Sequence, residues 1–218
     1  MLIRNHVPFR AIFEANWLTF IGVISYSGLI AYLHGHSTAE IRELLDLPPL
    51  VPAVLGTSLA FFLGFITNSA YDRWWEARKK WGSIVNDSRN MARELMFFIK
   101  TDSNDEKSHV TKMIYRQIAW CYTLKHQLRK QDTTASLQRI LGKKDMESFN
   151  KYVNKPFAIM NLQTKELRGI QTEQRVSNFD FLQLDSTINR LTDHQGALER
   201  IKGTVFPTQY SFFVHMFI

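Results

Sequence analysis

Few residues of this 218-residue chain stand in arrangements that perform chemistry. His34-Gly35-His36, followed by Glu40, places two imidazoles and a carboxylate in a short segment. Those are donors for a transition metal, but the spacing is not a strong zinc pattern. The segment reads as a solvated loop without metal. Asp72, Glu76 and Asp87 are the carboxylates that could work as a paired general acid and base. They stand among Arg73, Arg78, Lys79, Lys80 and Arg89, and read as ion-paired helix surface. Cys121 is the single cysteine, which excludes a disulfide within the chain and a Cys-based zinc cluster. It reads as a small core residue, with a reactive thiol as the alternative. No phosphate-binding glycine loop, dinucleotide fingerprint or nucleophile elbow is present. Without a nucleophile–base pair or metal cluster, the expectation is a protein that is not an enzyme and carries no cofactor.

The elements around these residues say more than the residues do. Hydrophobic residues make up 45% and charged residues 22% of the chain, ordinary values for a folded protein. Mean hydropathy is −0.19, which excludes a chain built wholly of membrane spans. An aromatic content of 13% argues against disorder. The net charge of +7 suits either nucleic acid or an anionic membrane face. Its distribution decides between them. Ala15 to Ala39 and Leu47 to Tyr71 each lack Asp, Glu, Lys and Arg, and each exceeds the roughly 20 residues a bilayer-crossing helix requires. The first is too long for the apolar core of a signal peptide, and no small-residue cleavage site follows it. Pro48, Pro49 and Pro52 open the second, where proline is tolerated, and Gly56 and Gly64 lie within it. The competing reading, a buried hairpin of a soluble protein, is disfavoured by two such spans in succession.

Arg4 and Arg10 precede the first span, and Arg73, Arg78, Lys79 and Lys80 follow the second. The positive-inside rule places the N-terminus and the middle of the chain in the cytoplasm, with the short acidic loop outside. This is a multi-pass arrangement in the inner cell membrane. The same rule explains the basic run without nucleic acid. The spacing predicts a membrane hairpin over 1–71 (spans about 15–39 and 47–71), a cytosolic helical region over 72–202, and the start of a third span over 203–218, where the uncharged stretch stops short of a bilayer's thickness and reads as a truncation. The second span runs into the cytosolic region without a breaker, so one long helix is expected there. Val110, Ile114, Cys121, Leu124 and Leu128 share a helical stripe. Phe181, Leu184, Ile188, Leu191, Gln195 and Leu198 form a heptad-like seam with one polar member. Breaks are expected at Lys100–Glu106, with Ser103 or Asp105 as a cap, at Gln131–Ser136, and at Pro156.

The segment Tyr71-Asp72-Arg73-Trp74-Trp75-Glu76-Ala77-Arg78-Lys79-Lys80-Trp81-Gly82 places indoles beside cations, as at a membrane–water boundary. With Leu63-Gly64-Phe65 and Asn68-Ser69 before it, Asn86-Asp87-Ser88-Arg89 after it, and Glu199-Arg200-Ile201-Lys202-Gly203-Thr204, Pro207 and Tyr210 near the end, it resembles the bacterial branch of the bestrophins over nearly the whole chain. The resemblance implies an all-α homopentamer around one central pore. Each complete subunit has four membrane helices and a large cytosolic helical part. The partners implied are other copies of the chain, the lipid bilayer and permeant inorganic ions, with no nucleic acid.

The resemblance also places a narrow pore neck at Thr57, Phe61 and Phe65, whose spacing of four keeps them near one helix face. It places a second, cytosolic constriction at Phe179, and assigns Arg73, Trp74, Trp75 and Glu76 to the membrane interface. Aromatic ring edges facing the axis tolerate an anion, so chloride is the favoured permeant ion. A cation channel of the same fold and a non-conducting membrane scaffold are the alternatives. Thr57 stands where relatives often carry an aliphatic residue, and Val205 where a proline is common. The chain ends before the acidic calcium clasp of the animal proteins.

Overall fold

The computed structural model describes residues 9–36, 38, 48–100, 109–132, 137 and 140–204. Glu40, the cap candidates Ser103 and Asp105, and the expected third span beyond Thr204 lie outside the described residues. The elements are α1 (Phe9–His36), α2 (Leu50–Phe98), α3 (His109–Leu128), α4 (Lys143–Asn150), α5 (Lys155–Thr172) and α6 (Asn178–Gly203). Among the described residues there is no strand. Two compact units are distinguishable, Met1–Phe61 and Phe62–Ile218.

In the first unit α1 is 28 residues long, and the part Asn16–His36 is long and apolar enough to cross a membrane. His34 and His36 lie in its last turn, not on a loop as the sequence reading had it, and His36 Nδ1 is 3.1 Å from the Tyr32 carbonyl oxygen. The helix runs on through Gly35, and no proline interrupts it between Phe9 and His36. α2 is also long and apolar enough to cross a membrane. It spans 49 residues as a single helix, roughly 74 Å at 1.5 Å per residue. Pro52 falls in its first turn, where the missing N–H goes unused.

The second unit is a bundle whose helix directions can be read from its hydrogen bonds. Glu94 of α2 accepts from Gln183 (3.1 Å) and Thr187 (2.8 Å) of α6, while Asp87 is held by Arg190 (3.1 Å) and His194 (3.0 Å). Arg73 Nη2 donates to the Ile201 carbonyl (3.0 Å). As the number falls along α2 it rises along α6, so the two are antiparallel. Trp120 to Gln195 and Gln127 to Glu199 keep a near-constant offset, so α3 and α6 are parallel. Gln163 donates to the Met113 carbonyl and Arg116 to that of Leu162, so α5 runs against α3. The lower part of α2, α3, α5 and α6 thus enclose one core. Ile84, Met91, Leu95, Met113, Trp120, Leu124, Leu167, Leu184, Ile188 and Leu191 are all buried in it.

All six members of the expected α6 seam are buried, including Gln195. Its polar side chain has work inside. It accepts from Trp120 Nε1 (3.0 Å) and donates to Glu199 (3.0 Å) and Asn154 (3.2 Å). Glu199 Oε1 also accepts from Gln127 (3.1 Å) and from Asn154 (3.0 Å). On α3, Val110 and Leu124 are buried, and Ile114, Cys121 and Leu128 pack partly buried against the core, as the stripe predicts. Pro156 starts a helix instead of interrupting one. α4 ends at Asn150, and Asn154 caps α5 by accepting from the Phe157 N–H. Ser177 caps α6 in the same way, and its hydroxyl donates back to Asp180 (2.6 Å).

A second polar cluster ties α3, α4 and α5. Arg116 donates to both Asp145 oxygens (2.7 Å each) and to Glu166 (2.9 Å). Burial disfavours its charge, yet the two carboxylates more than offset that and raise its pKa. Burial by itself would also raise the Glu166 pKa. Bonds from Lys112 (2.8 Å) and His109 (2.6 Å), with the charge of Arg116, prevail and hold it at about 2. The folded carboxyl therefore binds its proton more weakly than the unfolded one. Its stabilisation is complete above an ordinary pKa of 4.5 and fades as pH falls from there toward 2.

Two outcomes are expected. Unfolding followed by helical circular dichroism between pH 5 and 2 shows an acid-side loss on the order of 3 kcal/mol from Glu166, and Glu166→Gln flattens that slope. Arg116→Ala leaves two carboxylates without their shared cation and destabilises the bundle by about 3–5 kcal/mol, read from denaturant midpoints at pH 7.

Candidate functional site

Thr57, Phe61 and Phe65 all lie on α2, at steps of one helical turn plus about 40°. Thr57 donates its hydroxyl hydrogen to the Ala53 carbonyl within the helix (2.8 Å), which leaves the oxygen only as an acceptor. Phe61 is 62% and Phe65 49% exposed. A large aromatic stripe exposed among the described residues is a surface suited to lipid, another subunit or an ion path.

Below it comes the tryptophan segment. Tyr71 stacks parallel to Trp75, with centroids 6.4 Å apart, and the Arg78 guanidinium lies 5.7 Å from the Trp74 ring. Both indoles are exposed. Arg73 is turned the other way, onto the Ile201 carbonyl in the last turn of α6, where the negative end of the helix dipole favours a cation. It thus joins α2 to α6 in addition to any role at a membrane surface.

The acids of the sequence reading separate. Asp87 is ion-paired as expected but is buried and held by α6, so it is a bundle residue and not helix surface. Asp72 and Glu76 are exposed, and among the described residues neither has an ion-pair or hydrogen-bond partner, which corrects the expected pairing. Glu76 in particular does not bond Lys80, despite a favourable spacing of four. Phe179 is 87% exposed in the first turn of α6. Because α6 starts beside the far end of α2, Phe179 lies roughly 50 Å along the α2 axis from Phe65. The structure does not bring the two together.

Cys121 faces an apolar groove of about 230 Å³ between α2 and α3, with Ser88, Gln117 and Ile118. Burial pushes its thiol pKa up against the opposing Ser88 hydrogen bond, so it is a poor nucleophile. Among the described residues no group of three His, Cys, Asp or Glu side chains is placed to hold a metal. Sequence reasoning missed Glu94, Arg116 and Trp120 as interior residues. For Glu94 the available signal was its spacing from Ile84, Asp87 and Met91. For Arg116, inside a polar stretch of α3, there was none.

Residues 10–218 match the family described as Bacterial/Fungal Bestrophin protein. A voltage-dependent anion channel-forming protein of Mesorhizobium japonicum is 30% identical over 162 residues, covering 74% of this chain and 50% of the relative. The voltage-dependent anion channel-forming protein YneE of Escherichia coli K12 is 32% identical over 167 residues, covering 75% of this chain and 52% of that one. The chain spans about half the length of the curated relatives it matches. Among solved structures, a variant of a bacterial bestrophin homologue from Klebsiella pneumoniae superposes with a TM-score of 0.71 at 26% identity, over 79% of this chain and 63% of that one. A second variant of that homologue superposes with a TM-score of 0.79 at 24% identity, over 97% of this chain and 74% of that one. The all-helical fold, the match over nearly the entire chain and these relatives agree: the chain belongs to the bacterial/fungal bestrophin family.

Proposed function

We propose that this chain supplies the pore-lining part of a homopentameric ion channel in the inner cell membrane, passing chloride and other monovalent anions. In this reading 1–71 is the membrane hairpin, 72–202 the cytosolic region, and 203–218 the start of a third of four membrane helices. The N-terminus and the middle region are cytoplasmic. Thr57, Phe61 and Phe65 form the neck. Phe179 forms a second constriction at the far end of a cytosolic vestibule. Arg73, Trp74, Trp75 and Glu76 mark the inner membrane boundary. The protein acts as a conduit and not as an enzyme.

One observation carries the reading. An exposed pair of aromatic rings, one turn apart, stands on an apolar helix that continues unbroken into a polar bundle. Repeated around a symmetry axis, such a stripe makes stacked aromatic rings, a constriction that gates by dewetting and offers ring edges to an anion. The naming of curated relatives as anion channel-forming proteins supports the same choice. A cation channel of identical architecture is the second reading, favoured by the Asp72 carboxylate below the neck, which has no partner among the described residues. In a non-conducting scaffold, the third reading, the stripe would face lipid or another subunit and no ion path.

The expected outcome is a five-protomer mass in detergent and, in planar bilayers under a KCl gradient, a reversal potential near that of chloride. A reversal near the potassium potential selects the cation reading. Replacing Phe61 and Phe65 together by alanine removes the constriction and raises unitary conductance by roughly twofold or more. Unchanged conductance in that variant means the neck is elsewhere.

A further inference from the structure

We infer that Asp72 forms a charged ring at the inner mouth of the neck and holds down the channel's anion preference. The inference rests on the neck reading above and adds a specificity-determining residue to it. Phe65 and Asp72 lie on one unbroken stretch of α2. Seven positions at 100° each return to within about 20° of the starting line, some 10 Å further along the axis. Asp72 therefore shares the face of Phe65. Glu76 falls about 20° to the other side of that line and about 6 Å beyond.

Neighbouring side chains confirm the phase. Arg73 and Ala77 point into the bundle, Arg73 onto the Ile201 carbonyl and Ala77 against the core. Asp72 and Glu76 are exposed on the flank that the bundle leaves open. Four cations are close in sequence, yet none neutralises Asp72. Arg73 is held by α6, Arg78 lies against Trp74 on the far side, and neither Lys79 nor Lys80 makes an ion pair with it. Lys79, the nearest cation on that face, is about 10 Å further down, close to a Debye length at moderate salt.

In a symmetric oligomer every copy of Asp72 arrives at the same level. A ring of carboxylates there concentrates cations and repels anions where the path narrows. The aromatic neck and this ring act in opposite senses, and measured selectivity is their balance.

The test uses the native full-length protein in planar bilayers under a KCl gradient, with Asp72→Asn, Asp72→Lys, Glu76→Gln and Phe65→Ala compared at equal oligomer mass. Asp72→Asn raises the chloride-to-potassium permeability ratio about threefold or more. Asp72→Lys raises it further. Glu76→Gln, farther from the neck, gives a smaller rise. The Asp72 effect shrinks at 1 M salt, as a field effect must. A ratio that stays at the wild-type value in both Asp72 variants, while Phe65→Ala changes conductance, overturns the ring and leaves the neck standing. If Phe65→Ala changes nothing either, the neck is misassigned and the ring falls with it.

Discussion

The unbroken helix α2 is the constraint on which the rest depends. In lipid every backbone N–H and C=O must find its partner within the segment, so an apolar stretch such as Leu50–Tyr71 is satisfied only as a helix. No proline lies between Tyr71 and Phe98 to stop it, and good helix formers at Glu76–Lys80 and Met91–Met96 carry it on. One continuous helix therefore carries both the exposed aromatic stripe and the buried seam of Ile84, Met91 and Leu95. Its lower end is accordingly tied at three levels, by Arg73, Asp87 and Glu94, each to a different turn of α6.

Those ties are polar for a reason that concerns register more than strength. A seam of Leu, Ile and Met tolerates sliding by a turn, since one aliphatic contact replaces another. A buried carboxylate does not. Displacing α6 by one turn would leave Asp87 or Glu94 without donors, at a cost of the order of 1–3 kcal/mol or more for each group. Gln195 plays the same part between α3 and α6, and Arg116 among α3, α4 and α5. The bundle is held in one arrangement by a few fully satisfied polar groups within an apolar core.

Much of this was legible in the residues. The single long second helix follows from the absence of a breaker, the α6 seam and the α3 stripe from helical periodicity, and the structure bears out these three. The helix ends were harder to see. α3 and α5 close with Lys130 and Gln174 at φ 56°, a left-handed conformation that glycine usually occupies and that neither residue signals. Pro156 was read as an interruption because proline breaks helix interiors, whereas it sits in a first turn. The acids near the tryptophan segment were read as paired from spacing alone. Spacing says which side chains can meet, not whether a third partner or an open face claims them.

What the sequence by itself determined is the class of the molecule: helical, with two spans apolar enough for a bilayer, a polar helical region after them, and a motif that marks the family. These depend on composition and on the period of a single helix, which are local. What only the tertiary structure decided is the partnership of each polar side chain. Asp87 and Glu94 are interior, Asp72 and Glu76 are exposed and have no partner among the described residues, and Arg73 faces α6. Most of those partners lie about 90 or more residues away in the chain, on helices whose rotation is set by core packing. No local pattern encodes that rotation, so the charges facing the proposed ion path became visible only once the bundle was assembled.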